Sequence, residues 1–167
     1  MKQAYIVYPG LGKTTLAKAD AKIADIETKI FKDKSLAQYI GTKDYPNYRG
    51  ATVTEINPEW PNNLYDYARA ELAAGKIIVS VPKQNSYDML EALQITDYAF
   101  VMPDADRLEQ LGADYTARGD DAEYIKNNLT DRYVEVLNYA RTTGKEIIFV
   151  KPGEYLADVL NSKKSSG

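Results

Sequence analysis

The chain has 167 residues, 44% of them hydrophobic and 27% charged, with a formal net charge of −3. This is ordinary globular composition rather than disorder, it is enough chain for one domain with a packed core, and its acidity argues against broad electrostatic binding to nucleic acid or anionic membrane. Cysteine and histidine are both absent, which excludes disulfides, thiolate metal sites and Ser-His or Cys-His hydrolases, whereas phosphoryl transfer needs only positioning, magnesium, Lys, Arg and a carboxylate.

The first apolar run, residues 4–8, reads as a buried strand, and the breaker-free Thr14-Thr-Leu-Ala-Lys-Ala19 reads as the start of a helix. Between them stand Pro9, Gly10, Leu11, Gly12, Lys13, Thr14 and Thr15. A strand, a glycine turn and a helix in that order let backbone N–H groups converge on phosphate oxygens, with the positive end of the helix dipole behind them. Lys13 would bridge the outer two phosphates of a nucleoside triphosphate and the Thr14 hydroxyl would ligate magnesium. Val7 occupies the place of the pattern's first glycine, so the loop must turn chiefly at Gly10 and Gly12. The competing reading is a Pro-Gly turn with Lys13 solvated; the tight spacing directly after the first strand favours phosphate. On either reading the lysine should be exposed until phosphate arrives.

Residues 22–26 form the second strand candidate, with Asp25 and Glu27 at its end. Alternation points these carboxylates to opposite faces, so one of the two would serve, unless both are solvated strand-end acids. Residues 29–61 then break the regular pattern with Gly41, Pro46, Gly50, Pro58 and Pro61 among aromatics. Long connections in compact domains are usually binding elements. Here Arg49 could pair with a monophosphate while Tyr45, Tyr48 and Trp60 stack on a base, or the aromatics could form a packing surface.

A helix follows Asn62-Asn63 and closes at Gly75, and residues 76–81 give a third, nearly continuous apolar strand. Ser86 can cap a helix carrying Leu90 and Leu93; residues 98–102 read as a fourth strand; Asp104 can cap a helix that carries Leu108 and Leu111 and stops at Gly112. Residues 112–128 are the second irregular stretch, interrupted by Arg118-Gly-Asp-Asp121. Thr130 or Asp131 opens a helix ending at Gly144, residues 146–150 form a fifth strand that reads with the third as central, and a last helix spans 154–160. Residues 161–167 read as a frayed tail. No stretch approaches the roughly 20 apolar residues of a membrane span, and Pro9 comes too early for a signal peptide, so a cytoplasmic protein is expected.

Taken together, Pro9-Gly-Leu-Gly-Lys-Thr-Thr15, five strands alternating with helices, the insert after the second strand and the Arg-bearing segment after the fourth resemble the P-loop nucleoside and nucleotide kinases, a group that includes adenylate kinase and small bacteriophage members. The stretches Asn57-Pro-Glu-Trp-Pro-Asn-Asn63, Val79-Ser-Val-Pro-Lys83 and Met102-Pro-Asp104 are similar to phage-type members. The resemblance implies a single α/β domain over residues 1–160, with a five-stranded mostly parallel sheet between two helical layers. An acceptor-binding insert (29–61) and a mobile lid (104–130) would stand at its carboxyl edge. It also implies ATP and Mg2+ as cofactors, and a small nucleoside or nucleotide as substrate, in a monomer or homodimer. Gly10, Gly12, Lys13, Thr14 and Thr15 would hold phosphates and magnesium, Asp25 or Glu27 would act as base or metal organiser, and Arg107, Arg118 and Arg132 would neutralise the transferring group, with Arg118 foremost beside Gly119. One departure is Ser80, which stands where many such kinases end the third strand with an aspartate. Two other functions fit the same residues: a kinase acting on a modified base or polynucleotide end, and a degenerate nucleotide-binding module used for protein interaction.

Overall fold

The computed structural model describes residues 1–42 and 52–166. Five strands, β1 (Ala4–Val7), β2 (Ile23–Asp25), β3 (Ile77–Ser80), β4 (Tyr98–Pro103) and β5 (Ile147–Val150), form one sheet in the order β2-β3-β1-β4-β5. Every pairing is parallel, with Tyr5 of β1 level with Val79 on one side and Ala99 on the other. The helices are α1 (Lys13–Ala19), α2 (Thr28–Lys32), α3 (Asn62–Ala73), α4 (Gln84–Ala92), α5 (Leu108–Ala117), α6 (Ala122–Leu129), α7 (Asp131–Thr143) and α8 (Leu156–Ser166). Short 3-10 turns cover Lys34–Tyr39 and Ala105–Arg107.

The sheet order explains the layering. From β1 the chain moves outward to β2 through α1, then reverses to reach β3, β4 and β5 in turn; with right-handed crossovers the reversal sends α3, α4 and α7 to the face opposite α1. Side-chain contacts agree: Tyr87 of α4 stacks on Tyr139 of α7 with ring centroids 4.5 Å apart, while α8 packs beside α1. Because helices cover both faces, β1 and β4 are almost wholly apolar and buried, which is why their sequences run without polar alternation. Burying side chains such as Ile6, Val7, Phe100 and Val101 stabilises the sheet by about 2 kcal/mol each.

Several sequence expectations need correction. β5 is an edge strand rather than a central one; its Ile147, Ile148 and Phe149 are only half-buried. Ser86 does not cap α4: it lies inside the first turn, fully buried, with its Oγ 2.8 Å from Ser80 Oγ. Gly112 does not end α5, which runs on to Ala117. A Cβ at Gly112 would stand 2.9 Å from Leu129 Cδ1, so the missing side chain is the notch that lets α6 close on α5. The stretch 112–128 is thus helical over most of its length, and the expected tail is helical through Ser166.

Candidate functional site

β1 is the middle strand of the sheet, and the chain leaves it toward β2 while β4 leads on to β5 on the other side, so the carboxyl end of β1 is a topological switch point. Such crevices are where open α/β sheets hold ligands. The Pro9–Thr15 loop emerges there. Gly10 and Gly12 have φ of +89° and +94°, a region only glycine enters cheaply, so the loop turns at the two positions the sequence marked. Its backbone is fixed by its neighbours: the Tyr115 hydroxyl donates to Pro9 O at 2.6 Å, Leu156 N donates to Leu11 O at 2.9 Å, and the Leu11 side chain is fully buried.

From this loop the two functional side chains of α1's first turn point toward β2. The Thr14 hydroxyl donates to Asp25 Oδ2 at 2.9 Å, and the Lys13 ammonium lies 3.9 Å from Glu27 Oε1. Lys13 is only 7% exposed, which corrects the expectation of a solvated lysine: the carboxylates at the end of β2 already draw it inward. Both acids face this one centre despite their alternation, because β2 ends at Asp25 and Glu27 sits in the extended turn that opens α2. Burial pushes the Asp25 carboxyl up to about 6, with Glu27 adding to the rise and Lys13 and the Thr14 hydrogen bond opposing it. Asp25 Oδ1 is buried without a hydrogen-bond partner among the described residues. An orphaned carboxylate oxygen beside a threonine hydroxyl is a hard-oxygen donor pair of the kind that could ligate Mg2+. Among the described residues no group of three or more acids could hold a metal alone. Ser80 cannot help, because its Oγ is spent on Ile26 O at 3.0 Å and on Ser86.

The raised Asp25 has a thermodynamic signature. The native state holds this proton up to about pH 6 while the unfolded chain, at the ordinary aspartate value of 3.8, releases it earlier, so stability from this group declines as pH rises between those values and stays lower above them. Asp25→Asn is therefore expected to raise the thermal midpoint at pH 7.5, by the equivalent of about 1 kcal/mol, and to change it little at pH 4. Melting curves at the two pH values check this; an equal or opposite shift at pH 7.5 contradicts it.

A cleft of about 640 Å³ opens beside the loop, lined by Gly10, Gly12, Lys13, Thr14, Thr15 and Leu16 on one side and by Asp114, Arg118, Tyr155 and Asp158 across from them. Arg118 does reach this cleft, although it is held at the end of α5 by Asp120, by the Tyr124 hydroxyl at 3.1 Å and over the Tyr115 ring at 4.9 Å. Arg107 does not. It is wholly buried, donating to Glu154 O from Nε and Nη2 at 3.2 and 3.1 Å and lying over the Tyr155 ring, so it clamps the turn before α8 rather than riding in a lid. Arg132 anchors α7 to the β3 turn by donating to Pro82 O at 3.0 Å. The expected lid is two packed helices, with Tyr115 buried between them and the loop.

Just before α4 stands a residue that the sequence did not single out for a site role, Lys83. Burial pushes the Lys83 ammonium down; Glu27 opposes this, while Arg132, Lys29 and Lys32 reinforce it. Lys83 thus feels three other cations, Arg132, Lys29 and Lys32, in a protein of net negative charge. The signals available in the sequence were that Lys83 follows Pro82 just after the third strand and that it ends the stretch Val79-Ser-Val-Pro-Lys83, which is similar to phage-type kinases but gave the lysine no role. Of the expected acceptor-binding residues, Trp60 packs half-buried against the core, and Tyr45, Tyr48 and Arg49 lie outside the described residues.

No protein-family model matches the chain, and no curated protein matches it. No helix among the described residues is long and apolar enough to cross a membrane.

Proposed function

We propose that the chain is an ATP- and Mg2+-dependent phosphotransferase acting on a small nucleoside or nucleotide, akin to the P-loop nucleoside and nucleotide kinases. The observation that carries this reading is the convergence of four groups at the switch point: the Lys13 ammonium, the Thr14 hydroxyl, the Asp25 carboxyl with its orphaned oxygen, and Glu27. A glycine-turned loop with that set beside it has the parts phosphoryl transfer requires. The 640 Å³ cleft lies in the size range of nucleotide-sized pockets, and it opens on the same loop.

In this reading the polyphosphate lies along Gly10–Thr15, and Thr14 and Asp25 would hold Mg2+. Lys13 exchanges Glu27 for phosphate oxygens when the nucleotide enters. The acceptor approaches over Glu27, flanked by Lys83 and Arg132. Its oxygen attacks the γ-phosphorus, the bond from phosphorus to the β,γ-bridging oxygen breaks, and ADP leaves. Where the acceptor is a hydroxyl, its proton passes to a carboxylate at the end of β2. The metal, when bound, neutralises charge shared between the β- and γ-phosphates.

Incubation with Mg-ATP and a panel of nucleosides and monophosphates tests the reading: acceptor-dependent ADP release is expected, and its absence across the panel would count decisively against turnover. Within that assay, Lys83→Ala should raise the KM of a monophosphate acceptor about tenfold, with the KM for ATP unchanged, because a charge-assisted hydrogen bond contributes roughly 1.5 kcal/mol. An unchanged acceptor KM would remove Lys83 from the site.

A second reading, nucleotide binding without turnover, is favoured by one observation. Ser80 is fully buried and hydrogen-bonded within the core, so the third strand offers no metal-organising carboxylate. Calorimetry showing ATP binding alongside a blank acceptor panel would select it.

A further inference from the structure

We propose that Asp114 reads the sugar of the bound nucleotide and favours a ribose 2′-hydroxyl over deoxyribose, an inference that rests on the phosphate-loop reading above. Asp114 stands on α5 in the wall of the cleft shared by Gly10, Gly12, Lys13 and Thr14. Its Oδ2 accepts from the Tyr155 hydroxyl at 2.9 Å and lies 3.5 Å from Nη2 of the buried Arg107, so its rotamer is fixed and its charge has a permanent counter-ion. An ionised carboxylate only accepts hydrogen bonds, and it repels phosphate. What faces Asp114 must therefore be a donor, and in a nucleoside triphosphate the donors are the sugar hydroxyls and the N–H groups of the base.

The spacing decides between them. The Tyr155 ring lies 3.7 Å from the point where a Cβ on Gly12 would stand, and the hydroxyl of that ring holds Asp114. The carboxylate is thus at most one tyrosine ring and one hydrogen bond away from the phosphate loop, so a nucleotide whose phosphates rest on that loop brings its sugar, the group next to them, toward Asp114. Tyr155 is itself set in place, since its backbone N–H donates to Asp158 Oδ2 at 2.8 Å and Gln110 Nε2 lies 3.4 Å from its hydroxyl. A fixed acid reading the 2′-hydroxyl is the solution that dinucleotide-binding folds adopt for the same task.

The test is titration of the protein, with magnesium, by ATP, 2′-deoxy-ATP and inosine triphosphate. The deoxy sugar is expected to bind at least about tenfold more weakly than ATP, as loss of a hydrogen bond to a charged group implies. In Asp114→Ala that preference should fall below about threefold, with the affinity for 2′-deoxy-ATP little changed. Asp114→Asn, which keeps the shape and loses the charge, should give an intermediate preference and stands in if the alanine variant does not fold. Equal affinity for both sugars in the unmodified protein overturns the inference alone, as does a preference that survives in both variants. If Asp114→Ala changes discrimination between ATP and inosine triphosphate instead, the carboxylate reads the base and the assignment to the sugar fails. Binding of none of the three overturns the phosphate-loop reading, and this one with it.

Discussion

Lys13→Met is expected to abolish acceptor-dependent ADP formation, lowering kcat/KM by a factor on the order of 100 or more, while the protein stays folded. The ammonium is the one cation of the glycine loop itself, and on the proposed function preorganised charge of this kind typically contributes two to three orders of magnitude to phosphoryl or acyl transfer. Methionine is the informative replacement because Lys13 is 7% exposed: its stem is packed, and an unbranched apolar side chain keeps that packing. Some stability should be lost as well, since Glu27 would lose a partner 3.9 Å away. That loss is limited to about 1 kcal/mol, because Glu27 retains 21% of its side-chain exposure and water can serve it. Steady-state kinetics with a melting curve separates the two effects. A variant with unaltered turnover would remove Lys13 from the chemistry.

Gly10→Ala should be the most destabilising single-methyl change in the loop, at about 3 kcal/mol. Two costs combine. The backbone holds φ at +89°, where an L side chain costs roughly 1–2 kcal/mol, and the new Cβ would stand 2.6 Å from Tyr115 Cε1 and 2.9 Å from Leu111 Cδ1. Tyr115 cannot step aside, because its hydroxyl is bonded to Pro9 O and its ring is wholly buried. Gly12→Ala supplies the contrast: φ is +94° there but the nearest atom to a Cβ is 3.7 Å away, so only the conformational cost of roughly 1–2 kcal/mol remains. Urea denaturation of the two variants, at equal m-value, measures the difference. Equal losses would mean that α5 does not press on the loop as described.

The parts of this molecule that a reader of the sequence could find are those that local pattern encodes. All five strands lie within a residue or two of their apolar runs, because a strand covered on both faces leaves no room for polar alternation. The glycine loop was legible for the same reason: positive φ at Gly10 and Gly12 leaves a mark on the residue type itself. What could not be read were contacts across the chain. The burial of Lys13 depends on an acid fourteen positions away, and that of Arg107 on a carbonyl forty-seven positions away. Ser86 looked like a cap because serine so often is one, and it turned inward because Ser80 offered a buried partner. Gly112 looked like a helix stop and is a packing notch, since the constraint on it comes from Leu129 rather than from its own backbone. Lys83 ended a stretch similar to phage-type kinases, but nothing in that stretch marked the lysine itself; what sets it apart is the influence of Glu27, Arg132, Lys29 and Lys32 upon it.

The bond from Leu156 N to Leu11 O and the Tyr155 ring above Gly12 join the loop after β1 to the start of α8. During synthesis, then, the ribosome releases a sheet that lacks one wall of its crevice until β5 and the turn before α8 have emerged. Damage to α8 or to the turn before it would be felt at the glycine turn before it is felt in the core.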